Sequence, residues 1–291
     1  MTQVMNWRHG QTWYRVFGDL HNGKTPVVVL HGGPGFAHNY CIPIAELVAH
    51  TGRGAVVYDQ IGCGNSTALP DAPREFWTPE LFMEELVLLT QHLGIADDYA
   101  IIGQSWGGML GMQFATTRPH GLKALVAVSC PASAQVWIDE NKKLEDLLPP
   151  EMKDAIRKHE ADGTTDDPAY LAASALFTQQ HVCRIPEPQH LQDSRAVVAK
   201  NSIADEMFAD GGALATWDIR GVLGEINVPT LIVSGQFDQA TPEMMSEIHS
   251  LISGSEWDLF PDASHMTYME EPSRFKRVVN NFLDTKLASR G

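Results

Sequence analysis

Two rhythms of apolar residues run along this chain. Continuous apolar runs at residues 26–30 (PVVVL), 55–58 (AVVY), 99–102 (YAII), 122–128 (LKALVAV) and 229–235 (PTLIVSG) are too short for helices and stop at glycine or turn residues. Such runs predict strands buried on both faces of a parallel sheet. Between them lies a slower period. Thr78-Pro79-Glu80 is a helix start, with Thr as N-cap and Pro at the first position, and Leu81, Phe82, Leu86, Leu89 and Leu93 keep helical spacing up to Gly94. Residues 109–115, the Thr241-Pro242-Glu243 start and the stretch from Pro272 predict further helices. Residues 11–17 (QTWYRVF) read as an antiparallel edge strand of an outer hairpin that turns at Gly18 and residues 21–24, and 256–260 (EWDLF) reads as the last strand.

Strand and helix alternate up to about residue 130, as in a right-handed parallel α/β sheet. From Pro131 to Arg220 the alternation gives way to charged, helix-like sequence broken at Pro149-Pro150, Pro168, Pro186 and Pro188. The expected organisation is therefore a core from residues 1–130 and 221–291, with a helical cap at 131–220 inserted after the sixth strand.

Composition narrows the classes of function. At 291 residues and 44% hydrophobic content the chain can bury a large core. A net charge of −15 without a Lys/Arg cluster argues against nucleic acid and anionic membranes as partners. The N-terminus lacks an apolar signal region and no stretch approaches a membrane span, so the expectation is a soluble, cytoplasmic protein. Cys41, Cys63, Cys130 and Cys183 are widely spaced, which signals neither a disulfide framework nor a zinc site. The cap carries 16 acidic and 9 basic residues, or −7 of the total. An acidic lid would favour a cationic substrate, although cap helices also expose carboxylates simply to solvent.

The chemistry centres on Gly103-Gln104-Ser105-Trp106-Gly107, a G-x-S-x-G motif between a strand and a helix. In that context the serine sits on a strained turn with its hydroxyl exposed, which makes Ser105 the candidate nucleophile. Serine needs a base, and the base needs a carboxylate to fix its tautomer. His265 follows the last strand and Asp238 follows the strand before it, giving the order Ser105, Asp238, His265 of α/β-hydrolases. Asp258 and Asp262 are weaker rivals for the acid, one within a strand and the other in the histidine loop itself. The loop His31-Gly32-Gly33-Pro34-Gly35 follows the second predicted strand, and Gly33 and Trp106 are assigned as the backbone donors of an oxyanion hole. Asp59, close to this chemistry, reads as a structural carboxylate that ties down backbone N–H groups.

HGGPG, the DQIGCGNS stretch from Asp59 to Ser66, GQSWGG and the contexts of Asp238 and His265 together resemble the proline iminopeptidase family, with its amino-acid amidases as the nearest branch. The similarity includes QTWYRVFGDL, FWTPELFMEEL and HVCR at 181–184, and loosens over 185–212. The resemblance implies an α/β-hydrolase fold with a helical cap. It also implies release of an N-terminal residue, often proline, from a short peptide or amino-acid amide through an acyl-enzyme, without cofactor or metal. Ser105, Asp238, His265, Gly33 and Trp106 keep their roles under it. Relatives that bind a free α-amino group resemble one another in placing Glu directly after the triad Asp and another Glu late in the cap. Here the first position is Gln239, which removes an attraction of ~1–3 kcal/mol. Glu206 is the candidate for the second, against simple surface exposure. The substitution keeps open an esterase, lactonase or tailoring hydrolase acting on a neutral small molecule, and beyond that a hydrolase-fold ligand receptor.

Overall fold

The apolar runs form one sheet of eight strands in the order β1-β2-β4-β3-β5-β6-β7-β8 in the computed structural model, which describes residues 3–288. The strands are β1 (Gln3–Trp7), β2 (Gly10–Phe17), β3 (Val27–Leu30), β4 (Ala55–Tyr58), β5 (Tyr99–Gln104), β6 (Leu122–Val128), β7 (Thr230–Gly235) and β8 (Glu256–Phe260). From β4 to β8 all neighbours are parallel, while β1 and β2 are antiparallel additions on the β4 side. The two outermost residues at the N-terminus and three at the C-terminus of the expected core fall outside the described residues.

The helices are α1 (Ile42–Ala49), α2 (Pro79–His92), α3 (Trp106–Thr116), α4 (Ala134–Glu145), α5 (Pro150–Asp162), α6 (Pro168–His181), α7 (Gln189–Val198), α8 (Ile203–Phe208), α9 (Pro242–Leu251), α10 (Thr267–Glu270) and α11 (Pro272–Lys286). Alternate strand residues enter opposite layers. Val28, Leu30, Val56 and Ile101 join the core packed by α2, α3 and α9, whereas Val27, Val29, Val57 and Ile102 join that packed by α1 and α11. Burial on both faces explains why these strands read as unbroken apolar runs. The Thr78 and Thr241 hydroxyls accept from the N–H groups of Leu81 and Met244, with Pro at the first helical position in each case.

The hairpin differs from expectation. Residues 11–17 lie inside the sheet, between β1 and β4, and their hairpin partner is the preceding strand β1. Strand β1 presents only Met5 to the core, too weak a pattern to register as a strand. Helices α4 to α8 all lie between β6 and β7, and Leu148, Ile156 and Ala173 form a small separate cluster between α5 and α6. Among the described residues no helix is long and apolar enough to cross a membrane.

One buried carboxyl sits beneath the β4 end of the sheet. Glu85 on α2 is fully buried, with Oε1 at 2.5 Å from the Thr12 hydroxyl and Oε2 accepting from the Ile61 N–H at 3.0 Å. Burial pushes its pKa up to about 8, only partly opposed by those two contacts. Because the folded value lies above the unfolded one, the folded state binds the extra proton, and stability falls as pH rises from about 4.5 to about 8. Glutamine offers the same shape with one donor and one acceptor and no charge to bury. Glu85→Gln is therefore expected to be more stable than wild type at pH 8, by on the order of a few kcal/mol, with the advantage shrinking toward pH 5. Thermal melts of both proteins across this range check it; an advantage independent of pH would contradict the assignment.

Candidate active site

The nucleophile elbow is built by close backbone approach. A Cβ on Gly103 would lie 2.1 Å from the Gly107 carbonyl oxygen, and one on Gly107 would lie 2.1 Å from that of Leu30. Only glycine fits at either position. Between them Ser105 adopts φ 56° and ψ −124°, a strained conformation for a residue with a side chain, which costs on the order of 1–3 kcal/mol. Its N–H is held by the Val128 carbonyl at 2.9 Å, and its carbonyl accepts from Gly108 and Met109 at the start of α3. Ser105 remains partly exposed while Gln104 and Trp106 on either side are buried.

Asp238, beyond the end of β7, and His265, beyond β8, meet through a 2.8 Å contact between His265 Nδ1 and Asp238 Oδ1. Both are buried, and Asp238 Oδ1 is further fixed by the Ala240 N–H at 2.7 Å. With Nδ1–H donated to the carboxylate, Nε2 is the nitrogen free to take a proton. Ser105, His265 and Gly33 line one cavity of about 280 Å³ together with Trp137, Phe177, Arg195 and Gln239. The rivals lie elsewhere in the structure: Asp258 is paired with Arg274 at 2.8 Å, and Asp262 is exposed.

Gly33 adopts φ 117°, a region that favours glycine. The segment containing it is tied to the elbow through two polar links. The Trp106 indole N–H donates to Gln60 Oε1 at 2.8 Å, and Gln60 Nε2 donates to the His31 carbonyl at 2.9 Å. Burial pulls the His31 pKa down to about 4, so the ring is neutral at pH 7. One tautomer satisfies both nitrogens, with Nδ1 donating to the Gly32 carbonyl and Nε2 accepting from the Gln60 N–H. In the second link the Tyr40 hydroxyl accepts from the Gly32 N–H and donates to Gln104 Oε1 at 2.7 Å. Gln104 Nε2 in turn reaches the His265 carbonyl at 3.4 Å. Burial raises the Tyr40 phenol well above its ordinary value, so the donor stays protonated.

Asp59 behaves as the sequence predicts for a structural carboxylate. Its oxygens accept from the N–H groups of His38 and Asn65 and from both side chains. Burial works to raise its pKa, but the His38 and Asn65 hydrogen bonds prevail and hold it below the usual range. Glu206 does not join Ser105. It sits on α8 in an ion pair with Arg74 at 2.8 Å and is not among the residues around the cavity, so the expected second acid is a surface partner of Arg74. Gln239 does reach the cavity, with its N–H donating to the His181 carbonyl at 3.1 Å. Tyr40, Gln60, Trp137 and Arg195 were not read from the sequence. Gln60 and Gln104 stand inside recognisable motifs, but nothing local marks the other three. Among the described residues no cluster of His, Cys, Asp or Glu could hold a metal ion.

A strained serine at a strand-to-helix turn, a buried His–Asp pair and a mostly parallel sheet define an α/β hydrolase, and the model of the α/β-hydrolase fold family matches residues 25–272. The chain is 35% identical over 281 residues to a proline iminopeptidase of Clostridium botulinum, covering 94% of each chain. It superposes on the crystal structure of a proline iminopeptidase from Mycobacterium smegmatis with a TM-score of 0.90 at 39% identity, covering 98% of each chain. The crystal structure of VinJ is similar with a TM-score of 0.94, also at 39% identity and with 98% of each chain covered. The chain belongs to the proline iminopeptidase family of α/β hydrolases and is a serine hydrolase of peptidase type.

Tyr40 joins the Gly33 segment to the serine strand. Tyr40→Phe strands the buried Gly32 N–H and frees Gln104, at a stability cost of about 1–3 kcal/mol. If the link positions the reacting groups, kcat falls about tenfold while KM stays within about twofold. Steady-state kinetics beside a thermal melt check this, and a loss carried wholly by KM would contradict it.

Proposed function

We propose that this enzyme removes an N-terminal amino acid, proline among the candidates, from a short peptide or amino-acid amide through an acyl-enzyme on Ser105. The observation that carries the proposal is the His265–Asp238 contact of 2.8 Å opening on the cavity that Ser105 lines. Ser105 Oγ attacks the carbonyl as His265 Nε2 takes its proton, and Asp238 holds the ring and stabilises the imidazolium. The backbone N–H groups of Gly33 and Trp106 receive the oxyanion, and Trp106 stands at the N-terminus of α3 where the helix dipole favours negative charge. His265 then protonates the leaving amine, and water, activated by the same histidine, releases the amino acid. The named relatives support the substrate class. Small-molecule or short-peptide substrates, rather than nucleic acid or membrane, belong to the same proposal. So does a cytoplasmic location, to which the four buried free thiols are suited.

A second reading has one observation in its favour: among the described residues no carboxylate lines the cavity that Ser105 shares. That is the lining expected for a neutral acyl group, as in an esterase or lactonase. Paired substrates separate the two, each aminoacyl amide against its N-acylated counterpart.

Two outcomes are expected. Ser105→Ala loses at least ~10⁴-fold in turnover with the fold intact, and a fluorophosphonate labels Ser105 in wild type. Labelling at another serine, or unimpaired turnover, would sink the mechanism. Gln239→Glu places a negative charge in the cavity and improves kcat/KM for aminoacyl amides about tenfold, with little effect on the N-acylated partners. An equal change in both members of a pair would mean altered geometry beside Asp238 and not charge recognition.

A further inference from the structure

The cavity around Ser105 adjoins a second, larger one of about 560 Å³, and Thr178 and Arg195 belong to the walls of both. In a chain of net charge −15, the lining of these two spaces is positive. Arg195 is the charged side chain common to both. Arg184 in the second lies over the Phe237 ring at 3.9 Å from its centre, and Glu187 is the carboxylate there. Several acidic side chains of the cap, Asp139, Glu151, Glu160, Asp162 and Asp166 among them, are exposed and line neither cavity.

Arg195 is held by one edge. Its Nε donates to Glu187 Oε1 at 2.6 Å, while Nη2 is shielded from solvent and has no hydrogen-bond partner among the described residues. The pair is partly exposed, with side-chain exposures of 37% and 28%, so it contributes little to stability. A guanidinium anchored along one edge presents the rest of its planar fork with little further loss of freedom, a geometry matched to a carboxylate. An unpaired charged donor closed off from water is unfavourable, and a small shift of its surroundings on ligand entry would open Nη2 to an acceptor.

We propose that Arg195 is the specificity residue for a free carboxylate on the leaving portion of a short peptide, so that the enzyme favours dipeptides ending just beyond the scissile bond. The proposal rests on the aminopeptidase reading given above. The acyl residue occupies the Ser105 cavity, and the leaving residue extends toward the wall shared with the second cavity, bringing its C-terminal carboxylate to Arg195. The leaving product keeps this contact until it departs through the larger space.

The test compares prolyl-glycine, prolyl-glycinamide, prolyl-p-nitroanilide and glutamyl-p-nitroanilide on wild type, Arg195→Gln and Arg195→Lys. Wild type should favour prolyl-glycine over prolyl-glycinamide about tenfold or more in kcat/KM, mostly through KM. Arg195→Gln should bring that ratio close to one, and Arg195→Lys, a point charge without the fork, should retain part of it. The wild-type ratio needs no variant and decides the question even if a variant fails to fold. Turnover of the prolyl anilide without preference for the free acid overturns the Arg195 subsite alone. An equal loss on the free acid and the amide in Arg195→Gln overturns it too, since a merely structural role moves both. A selective effect on the glutamyl anilide would assign the guanidinium to an acidic acyl side chain and overturn the leaving-group placement. Failure to cleave any of the four substrates, with amides of other N-terminal amino acids refused as well, overturns the aminopeptidase reading itself.

Discussion

The site depends on the contact of backbone with backbone at Gly103, Gly107 and Leu30. No side chain fits between these segments, so α3 begins directly above the junction of β3 and β5. That closeness forces Ser105 into its strained turn and leaves the first N–H groups of α3 without intrahelical partners beside the partly exposed serine. The strain of on the order of 1–3 kcal/mol is affordable because the surrounding sheet is buried on both faces. A helix start over a strand end is thus a packing solution whose dipole also favours negative charge beside the serine.

The four chemical segments follow the C-terminal ends of four different strands: Gly33 after β3, Ser105 after β5, Asp238 after β7 and His265 after β8. Parallel strands bring these ends to one edge of the sheet, where open α/β folds bind their ligands. Shared placement does not by itself set distances to fractions of an ångström. Side-chain links supply that: Gln60 between the Gly33 segment and Trp106, Tyr40 between the same segment and Gln104, and Gln104 toward the His265 carbonyl. Each linking residue is buried, so loss of a partner cannot be repaired by water.

What was legible in the sequence follows from how local the physics is. The central strands could be read because burial on both faces makes their apolar runs continuous, and the elbow because two glycines are required at fixed offsets from the serine. Strand β1 could not, since its pairing with β2 buries only Met5. Tyr40 makes its decisive contacts with Gly32 and Gln104, one of them across 64 positions, and no periodicity encodes such a meeting. The surroundings of Glu206 are set by a long-range contact of the same kind. Its sequence position late in the cap is compatible with facing Ser105, but Arg74, far away in the chain, claims it at the surface.

Charge composition leaves the site open. The cap's excess of acid admits either a lid that attracts cations or carboxylates turned to solvent, because a residue count is blind to direction and amphipathic helices turn carboxylates to water where burying them unpaired costs far more. The few charged groups that do line the cavities are therefore the informative ones. Arg195 sits there with Glu187 engaging one edge only, and Gln239 brings a neutral amide to the same cavity. Under the carboxylate subsite proposed for Arg195, selectivity comes mostly from the leaving side. On that side a planar fork and a carboxylate match in both charge and shape. In the Ser105 cavity, where the proposal places the acyl residue, Trp137 and Phe177 supply aromatic walls that impose little polarity.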